Sequence, residues 1–197
     1  MSGVIDFHFD FISPFSYLAH CELPGIARKY GCDIVYHPVE LSVLKLEGGN
    51  TGPTTRDMPL KYKYSGTDMQ RWAARYGVTI TRPTGHNPGA GRLNKGAFLA
   101  QDRGVAGAYV TAAWNQVWRD GGDMSDEALM RDVAGEIGWD ADEFLAFTDS
   151  PDAEARYKAS TQAAHDRGVF GVPTMMVGGE MWWGNDRLEF MEEYLTW

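Results

Sequence analysis

Apolar Ile5, Phe7 and Phe9 alternate with mostly polar neighbours across Val4-Ile5-Asp6-Phe7-His8-Phe9, the period of a strand. Pro14 to about Tyr30 reads as a helix. Ser13 stands at its head, where a hydroxyl accepts from an unpaired backbone N–H and the following proline suits the first helical position. Pro24-Gly25 is expected to kink or restart this helix before Gly31 closes it. Asp33-Ile34-Val35-Tyr36-His37 reads as a second strand, ended by Pro38. Strand, helix and strand in this order predict a right-handed crossover with the two strands parallel.

The middle of the chain reads as helical. Leu41 to Gly49 is apolar and partly helical, and Gly48-Gly49-Asn50-Thr51-Gly52-Pro53 is a loop signal. Two helices are predicted at Arg56–Tyr64 and Asp68–Tyr76, the second with Met69, Trp72 and Tyr76 at helical spacing. Thr81 to Leu93 is turn-rich. Further helices are predicted at Asn94–Arg103, Val105–Arg119, Ser125–Ile137 (capped by Ser125), Ala141–Thr148 and Pro151–Arg167, with Trp114 and Trp118 in the core. Asp120-Gly121-Gly122-Asp123 lacks the further ligand spacing of a calcium loop and reads as a solvated turn.

Strands return at the end. Pro173–Val177 and Glu180–Trp183 flank Gly178-Gly179, a two-residue hairpin signal, and Asn185 or Asp186 is placed to cap a final helix. This order is that of an α/β, thioredoxin-like fold interrupted by an all-helical insertion. Residues 1–40 and 165–197 would form the thioredoxin-like domain and 41–164 the insertion. The loop before the third strand of such a fold usually carries a cis proline, and Phe170-Gly171-Val172-Pro173 supplies the candidate.

Composition narrows the partners. A net charge of -9 and a pI near 5.0 argue against nucleic acid or an anionic membrane surface, while leaving small anionic substrates open. No basic leader or long apolar run is legible, so the expectation is a cytoplasmic protein. Cys21 and Cys32 belong to no metal-type cluster, and no structural disulfide is expected.

The chemistry starts at Ser13. Thiol–disulfide enzymes place Cys-x-x-Cys at the strand-to-helix turn, where the helix terminus lowers a thiol pKa. Here that frame is Ser13-Pro14-Phe15-Ser16, which excludes dithiol exchange by this motif. Two readings of Ser13 remain: an N-cap only, or a hydroxyl that donates to a thiolate carried by a ligand such as glutathione. A sharp turn at Val172-Pro173 would leave the Val172 N–H and C=O free to pair with a peptide backbone.

Several segments together carry a more specific likeness. Phe9–Ala19, Gly49–Pro53, Gln70–Trp72, Val169–Met175 and Trp182–Arg187 closely resemble the 2-hydroxychromene-2-carboxylate isomerase family of bacterial naphthalene catabolism, itself related to kappa-class glutathione transferases. The resemblance implies a homodimer and glutathione held as a cofactor that is not consumed. It places Ser13 as the active-site serine, and Val172 with Trp183, Gly184, Asn185 and Asp186 as glutathione-binding positions. Lys45, Thr55, Arg56 and His86 fall on substrate-contacting positions. Thr55 and His86 depart from the Asn and Tyr expected there.

The reaction so implied opens an aromatic hemiketal carboxylate and turns its double bond from cis to trans. A thiolate that adds at the conjugated carbon makes that bond single, allows rotation and leaves again. Lys45 and Arg56 are placed to hold the substrate carboxylate, Arg in bidentate fashion. The same site would serve a glutathione transferase that releases a conjugate, and a non-catalytic thioredoxin-like binding module is the third reading. Trp182 and Trp183 point to opposite faces of a regular strand, so at most one should line the cleft.

Overall fold

The computed structural model describes residues 3–85 and 89–196. Its sheet is built on β1 (Val4–Phe9), which pairs in parallel with β2 (Asp33–Pro38), Val4 opposite Asp33. Helix α1 (Pro14–Tyr30) makes the crossover between them. On its other edge β1 runs antiparallel to β3 (Thr174–Val177), His8 opposite Thr174, and β3 runs antiparallel to β4 (Glu180–Trp183). The order is therefore β2-β1-β3-β4, a thioredoxin-like sheet in which the crossover strands are parallel and the closing hairpin is antiparallel. Gly178 and Gly179 both adopt positive φ, 59° and 95°, which a two-residue hairpin turn of this kind requires.

Alternation along β1 divides the molecule. Ile5, Phe7 and Phe9 are fully buried on one face, where Phe7, Phe9 and Phe11 surround Trp114 at ring-centroid distances of 6.1, 5.1 and 4.9 Å. The opposite parity carries Asp6, His8 and Asp10. Between β2 and β3 the chain forms α2 (Leu41–Glu47), α3 (Pro59–Tyr76), α4 (Gly91–Asp102), α5 (Ala106–Trp114), α6 (Glu127–Glu136), α7 (Ala141–Thr148) and α8 (Pro151–Asp166). One apolar core runs from the sheet through Leu93, Tyr109, Trp114, Val117, Val133 and Phe144 of these helices. A smaller cluster, Val39, Leu44, Ala164, Val169 and Met176, lies beneath α2 and α8. Both predicted core tryptophans are buried. None of the helices among the described residues is long and apolar enough to cross a membrane.

The structure corrects several expectations. Helix α1 continues through Pro24 to the left-handed cap at Gly31, because Leu23, Ile26 and Ala27 are buried on both sides of the proline and hold the helix on the core. The two helices expected at Arg56–Tyr64 and Asp68–Tyr76 are one, α3. Thr55–Asp57 is a separate 3-10 turn, and Pro59 supplies the helix start. Gly66 lowers helix stability by only about 1 kcal/mol, too little to break a helix anchored by Met69 and Ala73. Val105–Arg119 divides into α5 and a π turn, Asn115–Arg119, in which the Asp120 N–H donates to the Asn115 carbonyl at 2.9 Å. Asp126, not Ser125, caps α6, by accepting from the Ala128 N–H at 2.9 Å. Asn185 and Asp186 form a 3-10 turn, Asn185–Arg187, and do not cap the final helix α9 (Leu188–Leu195).

Candidate active site

Ser13 sits where the last residue of β1 has turned into α1, and it is 6% exposed. Its Oγ accepts from the Ser16 N–H at 3.2 Å, with extended backbone angles at the cap. Capping uses a lone pair and leaves the hydroxyl hydrogen without an acceptor among the described residues. A serine cap and a serine donor are therefore compatible in one side chain. The first turn of α1 carries no acidic residue.

The peptide bond between Val172 and Pro173 is cis, as the thioredoxin-like order of elements led us to expect. Since His8 faces Thr174 in the β1–β3 register, Val172 lies at the same end of the sheet as Ser13. Neither backbone polar group of Val172 makes a hydrogen bond among the described residues, while Gly184 N–H donates to the Pro173 carbonyl at 2.9 Å. That bond draws Gly184 and its neighbour Trp183 to the proline loop. Trp183 is 53% exposed, and its ring meets Phe170 edge-on at 5.0 Å. Its Nε1 would be 2.8 Å from a Cβ at Gly171, so glycine is what lets the indole lie over the loop. Trp182 turns the other way and packs on Tyr194 at 5.1 Å, so the two tryptophans lie on opposite faces as alternation requires.

Gly184 adopts φ 106°, and a Cβ there would overlap the Asp186 carboxylate. Asn185 is buried at 4% exposure. Its carbonyl accepts from the Tyr76 hydroxyl at 3.2 Å, whereas its Nδ2 has no partner. Asp186 is exposed and pairs with Arg187 at 2.6 Å. The structure thus gathers Val172, Trp183, Gly184, Asn185 and Asp186 around the proline loop and the turn that follows β4.

The substrate positions are less concentrated. Lys45 is half-buried in the last turn of α2, whose end lies against Phe170, since a Cβ at Gly48 would be 3.1 Å from the Phe170 Cβ. Thr55 and Arg56 lie on the 3-10 turn before α3, held by a capping box in which the Asp57 carboxylate accepts from the Thr54 N–H at 2.9 Å. Among the described residues no hydrogen bond or ion pair ties Thr55 or Arg56 to Ser13, Val172 or Trp183. His86 lies outside the described residues.

Both cysteines are free, and burial pushes the Cys21 thiol up to about 11.

The whole chain can now be set beside known proteins. The family model of the DSBA-like thioredoxin domain matches residues 4–196. The 2-hydroxychromene-2-carboxylate isomerase of Sphingobium xenophagum is 43% identical over 195 residues, 99% of each chain. That of Pseudomonas putida is 43% identical over 189 residues, 96% of this chain and 92% of its own. A solved structure of a 2-hydroxychromene-2-carboxylate isomerase superposes with a TM-score of 0.93 at 42% identity, covering 98% of this chain and 94% of the other.

The chain belongs to the 2-hydroxychromene-2-carboxylate isomerase family.

Within that family fold, side chains not assigned a role at Ser13 from sequence support its turn. Asp10, Asn94 and Trp118 all hydrogen-bond to the segment Phe11–Ile12. Phe170 forms the aromatic edge between Trp183 and the end of α2. Asp10 carried one local signal, a carboxylate directly after an apolar strand. Asn94 and Trp118 carried none, because their partners lie 83 and 107 residues away.

Proposed function

We propose that the protein is a glutathione-dependent isomerase that interconverts 2-hydroxychromene-2-carboxylate and trans-o-hydroxybenzylidenepyruvate. The observation that carries this reading is the state of Ser13: a cap whose hydroxyl hydrogen is free, at the head of a helix with no acidic residue in its first turn, at the sheet end shared with the unpaired backbone of Val172.

Glutathione suits the residues present. The Val172 N–H and C=O can pair with a peptide backbone as an added strand does. The unpartnered Nδ2 of Asn185 is a donor waiting for a carboxylate or carbonyl, and a buried donor left unpaired costs about 1–3 kcal/mol. Asp186 supplies a carboxylate for an ammonium group, and the Trp183 face covers the loop. When bound, glutathione supplies a thiolate able to add reversibly to a conjugated carbon.

The chain's own residues then have distinct tasks. Ser13 donates its hydroxyl hydrogen towards sulfur and, with the α1 terminus, favours the ionised form of a thiol whose ordinary pKa is near 8.5. Lys45 and Arg56 provide cations for the substrate carboxylate, onto whose side of the molecule negative charge moves. The Phe170 and Trp183 rings offer an apolar wall to an aromatic substrate. We include in the proposal a homodimeric assembly.

The test is the ultraviolet spectrum of 2-hydroxychromene-2-carboxylate mixed with the protein, with and without glutathione. Conversion to the trans open form that requires glutathione and leaves the free-thiol concentration unchanged is expected. Stoichiometric loss of thiol would assign a transferase, and absence of both conversion and glutathione binding would sink both enzymatic readings.

A further inference from the structure

Asp10 is buried directly after β1, and its carboxylate accepts three N–H groups. Oδ1 accepts from the Ile12 backbone at 3.1 Å and from Asn94 Nδ2 at 2.8 Å, and Oδ2 accepts from the Leu41 backbone at 3.0 Å. Ile12 is the residue before Ser13. Leu41 opens α2, and Lys45 lies one turn further along the same short helix. One carboxylate therefore joins two segments that are not neighbours in sequence, one oxygen to each.

The brace is itself anchored. Asn94 Oδ1 accepts from the Phe11 N–H at 3.2 Å, and its second amide hydrogen goes to the Tyr157 hydroxyl oxygen at 2.8 Å. The Tyr157 hydroxyl donates to the Val39 carbonyl at 3.2 Å. Burial pushes the Asp10 carboxyl up, against the pull of its Asn94, Ile12 and Leu41 donors. An apolar residue would escape that burial cost but could bond to neither segment.

We propose that Asp10 is a positioning residue that sets the spacing between Ser13 and Lys45. This rests on the reading of Ser13 and Lys45 given above. Asparagine cannot substitute. Its NH2 would have to face the Leu41 N–H on one side or the Ile12 and Asn94 donors on the other, so one segment comes loose.

The experiment is Asp10→Asn in the full-length protein, alone and combined with Lys45→Ala. Asp10→Asn is expected to lower kcat/KM by about tenfold or more, and Lys45→Ala to cost several-fold less in the Asp10→Asn background than in the wild type. Independent, multiplicative losses would overturn the proposal, because a residue that only stabilises the fold leaves the effect of Lys45 unchanged.

Amide hydrogen exchange reads the same brace without turnover. The Leu41 and Ile12 amides should be protected in the wild type. In Asp10→Asn at least one of them should exchange about tenfold faster, while the Leu44 amide, held by the Glu40 carbonyl at 2.9 Å, stays put. Fast exchange of both amides in the wild type overturns the proposal even if Asp10→Asn does not fold. A wild type that is inactive but protected at both amides sinks the isomerase reading and leaves the brace standing.

Discussion

The indole Nε1 of Trp118 donates to the carbonyl of Phe11 at 2.8 Å, while the backbone carbonyl of Trp118 accepts from the Thr81 N–H at 2.6 Å. Trp118 belongs to the π turn after α5, whose extra residue in the helical repeat accompanies this placement beside the Ser13 loop. One residue thus supports both the Ser13 turn and the segment at Thr81. Trp118→Phe keeps the ring and removes the donor, which leaves a buried carbonyl unpaired at a cost of about 1–3 kcal/mol. Equilibrium urea denaturation should show that loss, and an unchanged midpoint would mean that water replaces the indole.

Ser13→Ala separates the cap from the chemistry. The cap contributes about 1 kcal/mol, so the variant should fold with a slightly lowered thermal midpoint. Isomerisation should fall by about a hundredfold or more, as when one donor to a developing or bound anion is removed. Full activity in Ser13→Ala would take the hydroxyl out of the mechanism.

Gly96→Ala should be destabilising, against the usual sign. Alanine in place of an exposed helical glycine stabilises by about 0.5–1 kcal/mol. In α4, however, the new Cβ would overlap the Tyr109 hydroxyl and come within 2.7 Å of the Phe144 ring. That hydroxyl already donates to the Leu93 carbonyl at 2.7 Å and cannot retreat without breaking its bond. A loss of about 1–3 kcal/mol in chemical denaturation is expected. A gain would show that Tyr109 has room to move.

Stability should fall as the solution is acidified below neutrality. Burial, aided by the charges of His37 and Arg167, pushes His8 down to about 3, and burial pushes His20 down to about 4. The unfolded chain takes up these protons near pH 6.5, and the folded chain only at much lower pH. Their contribution is therefore complete above about pH 6.5 and shrinks as pH falls towards about 4, by about 1.4 kcal/mol per pH unit for each ring. Denaturation midpoints measured at about pH 7 and about pH 5 check this, and His8→Asn should roughly halve the slope. A flat profile would place a protonated imidazole inside the fold.

Local sequence determined those parts of the protein whose cause is local. Alternation of Ile5, Phe7 and Phe9 made β1, the Ser13-Pro14 pair made the head of α1, and Gly178-Gly179 made the hairpin, because each depends on residues within a turn or a strand of one another. The order of these elements was enough for the thioredoxin-like architecture, and the segments around Ser13, Val172 and Trp183 were enough for the family. Only the tertiary structure decided that Gly66 and Pro24 would be carried through helices held down by burial on the core. It also decided that Trp183 lies over the Gly171 loop against Phe170 while Trp182 packs on Tyr194, and that Asn185 is buried with a free donor instead of capping a helix. The same holds for the brace of Asp10, Asn94 and Trp118 behind Ser13. Its hydrogen bonds include partners 83 to 107 residues apart, and no local pattern encodes a bond whose two ends meet only when the sheet and the helices have packed.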